Sequence, residues 1–161
     1  MAYVFADEEQ DSVAARLIHL FELPAQIFDI AVPEGSIKVK MRLLNDKENQ
    51  EVSDMADRYG MASRLLVQRR HVLARSVSWI ENIPIEMPES IKAAVKEEIG
   101  RAPTDVEQKL WVFEQCQPVL LIDLMKCYGE MAKAQETEIN SIKKKYAEQS
   151  AEPQQEVKSS E

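Results

Sequence analysis

Residues 60–87, GMASRLLVQRRHVLARSVSWIENIPIEM, constrain the fold more tightly than any other stretch of the chain. Ala62, Leu65, Leu66, Val72, Leu73, Val77 and Ile80 recur at helical spacing and define a broad apolar stripe. This spacing predicts one helix running to about Asn82. The Ile83-Pro84-Ile85 piece after it is extended, because a residue preceding proline avoids the α region. Upstream, SIKVKMRLL at residues 36–44 alternates cleanly. Ile37, Val39, Met41 and Leu43 face one way and Lys38, Lys40 and Arg42 the other, the period of a half-buried strand. Pairing of the two extended pieces predicts a two-stranded antiparallel ribbon, which is marginal alone and needs helical cover.

Helices account for most of the remaining chain. Residues 7–22 open with Asp7, Glu8, Glu9 and Asp11, where negative charge suits the positive end of a helix dipole. Val13, Ala14, Leu17, Ile18, Leu20 and Phe21 give this segment a single apolar face, and Pro24 ends it. The linker PAQIFDIAVPEGS is too apolar for a free tether; it is either an irregular surface strand or a docking segment, with a turn at Pro33-Glu34-Gly35. Asn45 with Glu48, and Thr104 with Glu107, have the spacing of capping boxes. Gly60 and Gly100 punctuate helices, and Pro118 suits the first turn of a new one. From Pro118 to about Glu148, Leu121, Leu124, Met125, Tyr128, Met131, Ala132, Gln135, Ile139, Ile142 and Tyr146 follow spacings of three and four. Charge rises beyond Ala132, so the end of this helix is expected to project as an arm or to pack on another protein. Lys143, Lys144 and Lys145 suit the negative end of its dipole.

The resulting expectation is a mainly α fold: a compact helical domain of about five to six helices with a small two-stranded β ribbon. Residues 1–36 are an N-terminal helix and apolar linker. Residues 37–148 are the helical core with its long closing helix, and residues 149–161 a disordered acidic tail.

Charge and chemistry narrow the function. A net charge of −8 opposes general nucleic-acid binding, which requires a basic field to neutralise phosphates. No apolar run approaches the ~20 residues of a membrane span, and the N-terminus has no basic leader region, so an intracellular protein is expected. Cys116 and Cys127 lie in apolar helical surroundings without zinc-finger partners, which reads as free thiols. His19 and His71 have no second ligand at helical spacing. No phosphate-binding glycine loop, nucleophile elbow or zinc-protease motif is present, and no carboxylate pair can be named. The reading is a non-enzyme without cofactor or metal. The strongest positive charge is Arg64, Arg69, Arg70 and Arg75, four arginines on the long helix. They are either a docking face for an acidic partner or internal partners of the acidic N-terminal helix, Asp54 and Asp57. Arg64, Gln68, His71, Arg75 and Ser78 share one helical face in this reading.

Three segments carry a family resemblance. IKVKMRLLNDKENQEV is a strand leading into an acidic helix. RLLVQRRHVLARSVSWIENIPI is a helix ending in an Ile-x-Ile turn. LWVFEQCQPVLLIDLMKCYGEMAKAQ is a Trp-bearing helix followed by a long closing helix with a tyrosine. Together they make the block from Ile37 to about Lys145 resemble the tail-assembly chaperones and baseplate-hub assembly proteins of tailed bacteriophages. The resemblance implies a non-enzymatic role in the host cell cytoplasm, with incorporation into the virion left open. The implied partners are tail tube, tape measure or baseplate and hub subunits, or further copies of the chain. Arg64, Arg69, Arg70 and Arg75 are the expected docking face, and Ile139, Ile142 and Tyr146 the expected helical arm. The alternative is a helical regulator that binds nucleic acid through the arginine helix.

Overall fold

The computed structural model describes residues 25–151. The expected N-terminal helix, with His19, lies outside the described residues, as does the tail beyond Ala151. A β-hairpin comes first: β1 (Gln26–Val32) and β2 (Gly35–Met41) pair antiparallel from Val32↔Gly35 to Gln26↔Met41. The turn is Pro33-Glu34. Gly35 follows at φ 140°, a conformation that residues with a side chain rarely adopt. The apolar linker segment is therefore the first strand of a sheet, one of the two readings its composition allowed.

Asn45 starts α1 (Asp46–Ala56) with both bonds of a capping box: its side chain accepts from the Glu48 N–H at 2.9 Å, and the Glu48 carboxylate accepts from the Asn45 N–H at 3.0 Å. Next comes α2 (Met61–Ser76), which runs straight into β3 (Val77–Ile80). The expected helix to Asn82 thus ends a turn and a half earlier. Val77 and Ile80 fit a helical stripe, but with Trp79 they are also strand formers. Their strand is fixed by pairing with β2, Val39↔Ile80 and Lys40↔Trp79. The junction is clamped: Arg42 N–H donates to the Ser76 carbonyl at 3.0 Å, and the buried Ser76 hydroxyl donates back to the Arg42 carbonyl at 2.6 Å.

Glu81 and Asn82 then take φ of 53° and 59°. Positive φ at both residues is what a tight two-residue hairpin turn requires. Glu81 is held there by β2, since its N–H donates to the Lys38 carbonyl and its carboxylate accepts from the Lys38 N–H. The turn delivers β4 (Ile83–Pro84) against β3, not against β2. The sheet is therefore four-stranded, in the order β1-β2-β3-β4, rather than a two-stranded ribbon.

Three more helices complete the described chain: α3 (Glu89–Ile99), closed by Gly100 at φ 74°; α4 (Asp105–Gln115), with a second capping box at Thr104 and Glu107; and α5 (Pro118–Ser150), with proline in its first turn. The described chain is mainly helical, with one small antiparallel sheet. One sheet face, with Ile30, Val39, Met41 and Val77, packs on Leu73 and Ala74 of α2, Phe113 of α4, and Leu121, Leu124 and Met131 of α5. Burial of this apolar surface is the main stabilising term. A smaller cluster of Leu44, Val52 and Val72 joins α1 to α2 and meets Met125 and Tyr128 of α5. In α3 no residue is buried; it lies at the surface, with Lys92 paired to Glu86 and Glu89.

Candidate protein-binding surfaces

The four arginines of α2 do not form one face. At 3.6 residues per turn, Arg75 returns to the side of Arg64, while Arg69 and Arg70 lie about 140° and about 120° away in opposite senses. Arg64 and Arg75 point along the α1 side and are already engaged. Arg64 pairs with Asp57 at 2.6 Å, and Arg75 approaches Glu51 at 3.8 Å. Arg75 Nη1 also donates to the His71 carbonyl at 3.2 Å and lies 3.1 Å from His71 Nδ1. Since arginine only donates, neutral His71 carries its proton on Nε2. Burial, and then the Arg75 charge, push the His71 imidazole below its usual pKa. Ser78, expected on the same helical face, stands on β3 instead.

Arg69 and Arg70 are half-buried. Among the described residues, Arg70 Nε is buried with no hydrogen-bond partner, a costly arrangement. Of the two readings open for these arginines, pairing within the chain accounts for Arg64 through Asp57; Arg75 uses Glu51, which sequence reasoning did not single out.

The arm residues fare differently. Leu121, Leu124, Tyr128, Met131, Gln135, Ile139, Ile142 and Tyr146 occupy one stripe of an unbroken α5, at successive spacings of three or four. Leu121, Leu124 and Met131 are fully buried in the core. Beyond Met131 the stripe continues through half-buried Gln135, Ile139 and Ile142 to Tyr146, which is 67% exposed. Ile142, Lys145, Tyr146 and Gln149 line a shallow recess there. Of the three lysines there, Lys145 lines the recess, whereas Lys144 lies about 160° around the helix from Ile142 and pairs with Glu148 at 4.0 Å.

Two further surfaces escaped sequence reasoning. Cross-strand register places Ile27, Lys40, Trp79 and Pro84 in one row across all four strands, on the sheet face turned away from the core. Ile27 is 58% exposed, and Trp79 is half-buried. The row was hidden because it needs the register of β1 and β3, and β3 reads as helix. The second surface is the α1–α2 corner, where Tyr59, Met61 and Leu65 are exposed, Met61 at 94%. Leu65 was assigned to the packed stripe; that stripe becomes buried only from Val72 onward.

The described residues offer little chemistry. Among them, no group of three or more His, Cys, Asp or Glu side chains could hold a metal ion. Cys116 and Cys127 are free, and burial raises the pKa of both thiols, which disfavours the reactive thiolate. Cys116 Sγ donates to the Val112 carbonyl at 3.3 Å. No helix among the described residues is long and apolar enough to cross a membrane. What the geometry offers is apolar stripe, sheet face and flanking charge, which suit contact with another polypeptide. No protein-family model, curated protein or solved structure matches this chain.

Proposed function

We propose that this chain is a non-enzymatic protein-binding factor in the assembly of a bacteriophage tail or baseplate, acting as a chaperone or as a small hub or baseplate subunit. The family comes from the three resembling segments, and the mode of action from the arm. The observation that carries the reading is the continuity of the α5 stripe, which leaves the core at Met131 and runs on to Ile142 and Tyr146. An amphipathic helix extended beyond its own core is suited to helix-in-groove or helix–helix contact with a partner. Partners of this kind are tail tube, tape measure, baseplate or hub components, or a second copy of the chain. The place of action is the host cell cytoplasm, with carriage into the virion as a further step.

The nucleic-acid reading of the arginine helix has less support. Arg64 and Arg75 are paired with carboxylates of the same chain, and the remaining two arginines diverge around the helix.

Affinity capture from infected cells with the tagged full-length protein, read by mass spectrometry, tests the assembly reading. Enrichment of a tail, tube or baseplate component supports it, and enrichment of none rejects it. Retention on DNA that weakens with salt would favour the regulator instead.

A further inference from the structure

We propose that the α5 arm pairs with the arm of a second copy of this chain, antiparallel and about a two-fold axis midway between Met131 and Ser150. The proposal rests on the reading of the arm as a docking surface and names its partner; it does not depend on the phage assignment.

Shape sets the direction. The arm stripe lies on the same side of α5 as the chain's own core, because Leu121, Leu124 and Met131 are buried along it. A parallel pair joined stripe to stripe would press the two bodies together at Met131. An antiparallel pair sends each body to the opposite end. Met131 then faces Ser150 of the second copy, and the arms overlap along the ~28 Å by which α5 outruns its core.

The same axis matches the stripe to itself. Ile139 meets Ile142 of the second copy, and Gln135 meets Tyr146 of the second copy, each contact occurring twice. The recess lined by Ile142, Tyr146 and Gln149 thus receives Ile139 and Gln135 of the second copy.

Charge selects a second copy over an unlike helix. At about 100° per residue, Glu138 and Lys145 flank the stripe on one side, and Glu136 and Lys143 on the other. All four are exposed. In an antiparallel pair each flank meets its own equivalent, so Glu138 opposes Lys145 and Glu136 opposes Lys143 across the interface. Symmetry doubles both oppositions, and all are between unlike charges. In a parallel pair opposite flanks meet, and only Glu138 with Lys143 gains by it. On both flanks the glutamate comes first and the lysine two turns later, a pattern that is its own complement when reversed. A uniformly acidic or basic partner helix would meet repulsion from half of it.

Sedimentation equilibrium of the purified full-length protein tests this. The native chain is expected to pass from monomer to dimer as its concentration rises through about 1–100 μM. Two reversals give each arm flanks of one sign: Glu136→Lys with Glu138→Lys, and Lys143→Glu with Lys145→Glu. Each is expected to weaken self-association about tenfold, and an equimolar mixture of the two to restore it. The reversed positions are exposed, so the core is left intact, and circular dichroism checks that each variant is folded. Orientation is read from Glu136→Lys with Lys143→Glu. This exchange keeps every unlike opposition of the antiparallel pair but sets carboxylate against carboxylate in a parallel one, so it is expected to dimerise as the native chain does. Three results overturn the proposal: a native chain that stays monomeric, a dimer indifferent to both reversals, or association lost in the exchange variant. The readout uses the purified chain alone, so its failure leaves the capture experiment standing, and failed capture leaves the dimer standing.

Discussion

The hydroxyl of Tyr128 accepts a hydrogen bond from the backbone N–H of Leu44 at 3.2 Å, 84 residues away in sequence. This contact joins α5 to the connection between the sheet and α1, where Leu44, Val52 and Val72 form the smaller core cluster. Burial is the leading cause that raises the Tyr128 phenol above its usual pKa, so it remains a neutral hydroxyl at physiological pH. Tyr128→Phe leaves the ring in place and the Leu44 N–H without its partner. We expect a loss of about 1–2 kcal/mol in chemical denaturation, with little change in slope.

Two glutamates are held below the usual carboxylate range. The Arg101 guanidinium, and next the Thr104 backbone N–H, hold the Glu107 carboxyl at about 2, against an ordinary 4.5. Arg42 lowers Glu48 in the same direction through bonds of 2.6 and 2.8 Å. A carboxylate whose folded pKa is depressed stabilises the fold above its unfolded pKa and loses that contribution as pH falls through the folded one. The window for Glu107 is thus from 4.5 down to about 2. Thermal melts of Glu107→Gln are expected to show a smaller drop across that window than the native protein. An equal drop would mean that other carboxylates carry the acid transition.

The β3–β4 turn offers a gain in stability. Asn82 sits at φ 59°, where asparagine is tolerated and glycine is free. Asn82→Gly should be neutral or stabilising by up to about 1 kcal/mol, whereas Asn82→Val should cost about 1–2 kcal/mol. Paired urea titrations of the two variants measure the difference directly.

Partner capture should separate the arm from the arginines. Ile139→Asp with Ile142→Asp removes two apolar contacts from a surface outside the buried core. Partner affinity is expected to fall about a hundredfold while the melting temperature moves little. Arg64→Glu breaks only an exposed pair with Asp57 and should change stability by less than about 0.5 kcal/mol. Arg69 is a cleaner probe than Arg70, whose buried Nε would expose a charge reversal to the interior. If capture depends on Arg69 and not on Ile139 and Ile142, the contact surface lies on α2.

Local chemistry made much of the fold legible. Asn45 with Glu48 and Thr104 with Glu107 announced two helix starts, Gly100 a helix end and Pro118 another start, because caps act over three or four residues. The alternation of Ile37, Val39 and Met41 marked β2, whose two faces differ in polarity. β3 was illegible for a physical reason. Val77 and Ile80 are three apart and continue the stripe of Leu73, so periodicity alone fits helix as well as strand. Only the pairing with Val39 and Lys40, far away in sequence, decides between them. The turn signal was also weak, since Glu81 and Asn82 adopt positive φ without a glycine. The arm stripe was readable from spacing. The division of the arginines was concealed by counting them in sequence rather than around the helix.

The length of α5 has a mechanical consequence. Its 33 residues span about 50 Å, and the part beyond Met131 accounts for about 28 Å of that. The near end is immobilised by Leu121 and Leu124, and among the described residues no glycine or proline interrupts the helix after Gly129. The helix is therefore a ruler: whatever grips Tyr146 is kept a set distance from the sheet, and inserting or deleting one turn would change that spacing without altering either contact.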